Sequence, residues 1–307
     1  MYAVVRGMGL SPHSLSRLTL SLQIGLCVPA FSSTEEDNEK VVSAILGRMT
    51  LEEKVGQMTQ LTLGAVSSTE ASSENPEAHK LDNKKLRHAL VNKHVGSILN
   101  VHNIAFSAKQ WHQLLTQIQN LATGETRLQI PILYGIDSVH GANYVREGTL
   151  FPDNLGLAAT RNPLLVEHCH AVTALETRAA GIPWNFGPSL DVGRHPLWSR
   201  YVETFGEDVY ITRIMAEAAV QGLQGTSLDS ATAVAATAKH FLAYSYPSSG
   251  QDRTQTLLPE HYLREHFLPP FASAVRQGVR AIMVNSVEVN GIPLHASHEM
   301  LSVLLRE

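Results

Sequence analysis

The sequence predicts an α/β fold: a (β/α)8 TIM-like barrel, incomplete at its C-terminus. Three observations lead there. Short apolar segments alternate with longer helical ones, polar side chains gather where the apolar segments end, and no glycine-rich phosphate turn occurs. Strand-then-helix repetition implies parallel pairing through crossover helices. Barrels and open parallel sheets both place their chemistry at the C-terminal strand edge. GxGxxG and GxxxxGK[ST] are absent, which favours a barrel-type face over a nucleotide site.

Taken in order, residues 1–30 read as a secretory signal. Arg6 and Arg17 precede the mostly apolar stretch 18–30, and Val28-Pro29-Ala30 offers small residues for cleavage, so an extracellular protein is expected. Removal of that segment would take Cys27 with it and leave Cys169 unpaired. From about residue 37 the pattern is helical. Thr50-Leu-Glu-Glu53 is a capping box, followed by an apolar stripe of Val55, Met58 and Leu61. Residues 66–80 are polar and aperiodic, an expected exposed loop. Candidate strands follow at 96–100, 130–136, 184–192, 234–241 and 279–285, about five of a barrel's eight. Between them, Asn162-Pro163 is an N-cap with proline at the first helical position. Gly278 should stop the helix beginning near Glu260. Ser297 caps a last helix whose apolar face is Met300, Leu301, Leu304 and Leu305.

Composition narrows the function classes. The 307 residues include 28 acidic and 24 basic side chains, a net charge of −4, with 44% hydrophobic and 17% charged. That stock supports a large core and argues against disorder. No basic block points to nucleic acid, and no apolar run reaches the length of a membrane span. Two cysteines and scattered histidines without HExxH give no metal site, and no cofactor is expected. The polar residues at strand ends are Asp137 and His140, Asp191 and Arg194, Lys239-His240, and Asn285 with Glu288. They suit a small polar ligand.

An ordered set of motifs resembles glycoside hydrolase family 3, in particular its β-glucosidase branch. The set comprises Met49-Thr-Leu-Glu-Glu-Lys-Val-Gly-Gln-Met58, Tyr134-Gly-Ile-Asp-Ser-Val-His-Gly141 and Thr149-Leu-Phe-Pro152. It continues with Asn185-Phe-Gly-Pro-Ser-Leu-Asp-Val192, Trp198-Ser-Arg-Tyr-Val-Glu-Thr-Phe-Gly-Glu-Asp208, Ala238-Lys-His-Phe241 and Asn290-Gly291. The resemblance implies a retaining hydrolase releasing terminal non-reducing β-D-glucosyl residues from a β-glucoside or oligosaccharide. It places Asp137, Arg200, Lys239 and His240 around a glucose-sized subsite. Physical chemistry agrees: a carboxylate can accept from two sugar hydroxyls while Arg and Lys donate to others, and unpaired groups there would be costly. Lys239 and His240 are adjacent and would face opposite sides of a regular strand, so a distorted or cis peptide is expected there.

In the same reading His140 is a packing histidine, and Glu203 and Asp208 partner nearby arginines. Trp184 and Trp198 are core residues or the floor of the sugar site. Arg194-His-Pro-Leu-Trp-Ser-Arg200 stands where many members read RDPRWGR, and Ser286-Val287 where many carry an aromatic residue. Lys239-His-Phe-Leu-Ala-Tyr-Ser245 differs from the KHFPGHG of the N-acetylglucosaminidase branch. The family's nucleophilic Asp lies on a strand expected beyond Glu307, its acid/base outside the barrel, and a second α/β sandwich domain normally follows. The expectation is therefore an incomplete barrel over 31–307 with no catalytic carboxylate of its own. Two alternatives stand beside it: a non-catalytic carbohydrate-binding remnant, and a different barrel hydrolase using Asp137 and Asp191 as acid and base.

Overall fold

A computed structural model describes residues 2–3, 35–69, 72, 75, 77–101 and 104–306. The expected signal segment lies outside them, apart from a two-residue strand β1 (Tyr2–Ala3). Helix α1 (Glu35–Arg48) leads to α2 (Leu51–Gln57), which the expected capping box starts: the Thr50 hydroxyl accepts from the Glu53 amide, and the Glu53 carboxylate accepts from that of Thr50. Strand β2 (Gln60–Thr62) follows, then β3 (Ser67–Thr69), which pairs antiparallel with β4 (Lys80–Leu81). The barrel path continues through α3 (Asn83–Arg87), β5 (Ser97–Leu99), α4 (Ala108–Glu125) and β6 (Leu133–Ile136). Next come α5 (Asn154–Ala159), α6 (Pro163–Ala179), β7 (Trp184–Asn185), α7 (Val209–Gln224) and β8 (Ala235–Phe241). The short α8 (Glu260–Tyr262), then α9 (Leu268–Arg276), lead to β9 (Ala281–Val284).

Six parallel strands form the curled sheet in the order β2-β5-β6-β7-β8-β9, with β1 antiparallel on the outer edge of β9. Sequential neighbours joined by helices are the signature of a barrel wall. The fold class stands, with six parallel strands where five were read. The additional one, β2, was hidden because Leu61 continued the helical spacing of Val55 and Met58. That expected stripe is not buried: Val55 is 52% and Met58 79% exposed. The buried face of α2 is Glu53, held by Arg127, and Gly56, whose chain lies against the backbone of Lys93 and His94. The expected loop 66–80 is anchored at its two ends, since Val66 and Ser67 are buried and β3 pairs with β4.

The strand expected over 184–192 is regular only at Trp184–Asn185. Beyond it the chain turns through a cis Gly187-Pro188 bond and stays against β8 irregularly: the Gly187 and Pro188 carbonyls accept from the Thr237 and Lys239 amides, and the Leu190 amide donates to the Lys239 carbonyl. The helix punctuation holds. The Asn162 side chain accepts from the Leu165 amide, Gly278 ends the α9 segment at φ +84°, and Ser297 accepts from the Met300 amide.

The core lies between sheet and helices. One cluster joins α5, α6, α7 and α9 to β8 and β9, and a second packs α4 against β5 and β6. In the first, Met215, Ala216, Ala219, Val220 and Leu223 of α7 are fully buried. Gly222 lets α7 approach α6 closely: a Cβ there would collide with the Glu167 carbonyl and lie 2.8 Å from His170 Cβ. Gly222→Ala should therefore lower stability by about 1–3 kcal/mol through overpacking, although alanine favours an exposed helix by about 1 kcal/mol. Urea denaturation would read this, and a stabilised variant would contradict the packing argument.

Candidate active site

Sequence geometry brings the predicted residues to the C-terminal end of the sheet. Asp137 follows β6, Lys239 and His240 lie in β8, and Arg200 stands on the long segment after β7. Lys239 Nζ donates to Asp137 Oδ1 at 2.5 Å, with the lysine side chain 3% exposed and the aspartate 30%. Asn100, at the end of β5, completes the grip on the carboxylate: its Nδ2 donates to Asp137 Oδ2 at 2.7 Å, and its Oδ1 accepts from the Asp137 amide at 2.9 Å. Asn100 takes φ +52°, a conformation asparagine tolerates better than most residues. Burial alone would raise the Asp137 pKa, but the charge and hydrogen bond of Lys239, with Asn100 and His240, hold it below its ordinary value.

Strand β8 bends where expected. The Lys239-His240 peptide is cis, as is Phe241-Leu242, and the pairing with β9 slips between Lys239 and Phe241. Lys239 reaches Asp137 while the His240 ring turns to Asp191, Nδ1 to Oδ2 at 2.7 Å. Asn285 serves this bend rather than a ligand. Its backbone amide donates to the Phe241 carbonyl and its Nδ2 to that of Leu242, so it satisfies backbone that the ladder leaves.

Arg200 makes a two-pronged pair with Glu203, Nε to Oε1 and Nη2 to Oε2, each 2.7 Å. Burial opposes the guanidinium charge, but Glu203 and the charge of Asp191 raise its pKa well above the ordinary value. Glu203 mirrors this: burial would push its pKa up, and Arg200, Lys239 and His240 bring it down. The guanidinium lies 5.4 Å from the Tyr244 ring centroid, and Tyr244 packs edge-on against both Trp198 and His240. Trp198 is 2% exposed and donates to Asp252, so it is a wall behind Arg200 rather than a sugar floor. The Tyr244 hydroxyl feels the charges of Arg200 and Asp252 but meets neither at hydrogen-bonding geometry.

The remaining polar expectations divide. Glu203 partners an arginine as read, whereas Asp208 instead caps α7 through the Ile211 amide. Trp184 donates to Thr237 and packs on Phe186. Asp191 is 1% exposed and bound to His240, which removes it from any direct role as acid or base on a substrate and with it the Asp137–Asp191 alternative. Sequence reasoning passed over Asn100, Tyr244 and Asp252. Only Asn100 carried a signal, its place at a strand's end.

The N-terminal domain pattern of glycosyl hydrolase family 3 matches residues 50–307. The chain belongs to that family. It is 42% identical over 284 residues to the lysosomal beta glucosidase of Dictyostelium discoideum, covering 86% of this chain and 33% of that protein. It is 30% identical to the periplasmic beta-glucosidase of Salmonella typhimurium, over 94% of this chain and 35% of the relative. Among solved structures, the exo-1,3/1,4-beta-glucanase of a Pseudoalteromonas species superposes with a TM-score of 0.75 at 30% identity, covering 87% of this chain and 32% of that one. The glucose complex of a Listeria innocua beta-glucosidase gives 0.72 at 28% identity, covering 87% and 35%. This family 3 chain thus spans about a third of the length of the curated relatives it matches.

The depressed carboxyls set an acid limit on the site. Asp137 and Glu203 have folded pKa values below their ordinary 3.8 and 4.5, so each stabilises the fold above those values and loses that contribution as pH falls through the folded ones. The urea midpoint of the wild type should drop more steeply below about pH 5 than that of Asp137→Asn/Glu203→Gln. Parallel profiles would show that the pairs contribute nothing.

Proposed function

We propose that this chain forms the glucose-binding face of a retaining β-glucosidase-type hydrolase acting on terminal non-reducing β-D-glucosyl residues. The observation that carries the reading is the convergence of one acceptor carboxylate, Asp137, with the buried donor Lys239, the half-buried donor Arg200 and His240. A hexose presents hydroxyls that both donate and accept, and this array offers partners of both kinds. Sugar binding leaves capacity on the groups already paired: Glu203 takes two of the five guanidinium N–H groups, and each Asp137 oxygen has a second acceptor position. The glucose complex of the Listeria relative, and the complex of a mutant of that enzyme with laminaribiose, support a β-glucoside ligand. The lysosomal and periplasmic names of two relatives support, with residues 1–30, a place outside the cytosol.

Binding and cleavage are separate capacities here. A retaining hydrolase uses two carboxyl groups about 5–5.5 Å apart, one of them free to attack the sugar. Among the described residues the carboxylates of this site, Asp137, Asp191 and Glu203, are each engaged by a cationic or imidazole partner. The 307-residue chain alone is therefore expected to bind glucose without turning over a glucoside.

Calorimetry with D-glucose should show binding by the wild type and a loss of at least about tenfold for Asp137→Asn, because hydroxyls built to meet that carboxylate would lose a charged acceptor. Equal affinities would sink the subsite assignment. Turnover of an aryl β-glucoside by this chain, abolished by Asp137→Ala, would overturn the separation of binding from cleavage.

A further inference from the structure

Asp191 is a buried carboxylate that the sugar reading leaves without a task. Its side chain is 1% exposed, and its Oδ1 has no hydrogen-bond partner among the described residues. Oδ2 does two things at once, accepting the His240 backbone amide at 3.2 Å and meeting the His240 ring at Nδ1, 2.7 Å away. An oxygen already accepting from the backbone is an acceptor toward the ring as well, so the ring proton belongs at Nδ1. Burial, opposed by Asp191 and aided by Lys239 and Arg200, keeps the imidazole pKa below its ordinary value of 6.5. The neutral ring has one proton, and with that proton at Nδ1 its Nε2 carries a lone pair. His240 stands within electrostatic reach of both Asp137 and Glu203.

We propose that Asp191 is a positioning residue that fixes His240 as the Nδ1–H tautomer, so that His240 meets a bound sugar as a hydrogen-bond acceptor. The proposal rests on the glucose-site reading above. Lys239 and Arg200 can only donate, so without this lock Asp137 would be the one acceptor of the four predicted residues. With it, two flanks of the sugar must each present a hydroxyl as a donor. That is a specificity rule: replacing such a hydroxyl by hydrogen or by fluorine removes the same donor, whereas at Lys239 or Arg200 a fluorine keeps part of an acceptor.

The test joins a spectroscopic and a binding readout on the intact chain. In the ¹⁵N-labelled protein near neutral pH, the His240 ring, assigned by its loss in His240→Gln, should show protonated Nδ1 and unprotonated Nε2. Asp191→Leu, which removes the acceptor, should shift that tautomer. Titration with D-glucose and its singly deoxy and deoxyfluoro analogues should reveal, beside the positions that face Asp137, one further position where both replacements weaken wild-type binding by about tenfold or more. That penalty should collapse in Asp191→Leu and persist in Asp137→Asn. A wild-type ring protonated at Nε2, or at both nitrogens, with glucose still bound refutes the positioning while the sugar reading stands. So does an Asp191→Leu protein with an unchanged ring spectrum and unchanged penalties. A locked Nδ1–H ring in a chain that binds no glucose refutes the sugar reading while the role of Asp191 on the ring survives. Asp191→Ala, checked for folding by its thermal midpoint, separates loss of the lock from loss of the site.

Discussion

An ammonium group with almost no contact with water is tolerable only beside an opposite charge, and in this protein that condition is met by Lys239 and Asp137. The requirement reaches far into the chain. Lys239 belongs to β8 and Asp137 follows β6, so their contact spans the intervening β7. Asn100 brings the end of β5 into the same arrangement. Three strand ends are thereby held to one another by side chains rather than by the ladder alone. Breaking a buried pair by deleting one member typically costs about 3–5 kcal/mol, with the solvent contact of Asp137 reducing that here.

Beyond this pair, charge alternates through the site: Asp137, Lys239, His240 with Asp191, then Arg200 with Glu203. Each group is held by its neighbour before any ligand arrives. A sugar entering such a site meets partners whose rotamers are already chosen, so little ordering entropy remains to be lost on binding. The wall of Trp198 and Tyr244 behind Arg200 serves the same end by leaving the guanidinium few alternative positions.

Much of this was legible in the residues. Asp137, Lys239 and His240 stood at the ends of apolar segments, and the adjacency of the last two already demanded a bend in β8. Arg200 was found through its motif, since nothing in spacing alone singles out an arginine on a long segment. The capping signals of Thr50, Asn162 and Ser297 were local, and each was realised. What escaped was non-local. Asn100 matters only because β5 lies beside β6, and Asp252 only because its segment folds back on Trp198. Strand β2 was lost to a coincidence of period, and the strand expected over 184–192 was shortened by the turn at Pro188.

One flank of the sheet has a practical consequence. Among the described residues β2 pairs on one side only, through Gln60–Thr62 to β5, and its Leu61 lines one cavity with Leu51 and Val55 of α2, both of which stand exposed. An open strand edge next to apolar side chains is a template for another chain. Association through that edge would depend on encounters between molecules, whose frequency grows with the square of concentration. Dilution is then the condition expected to limit it.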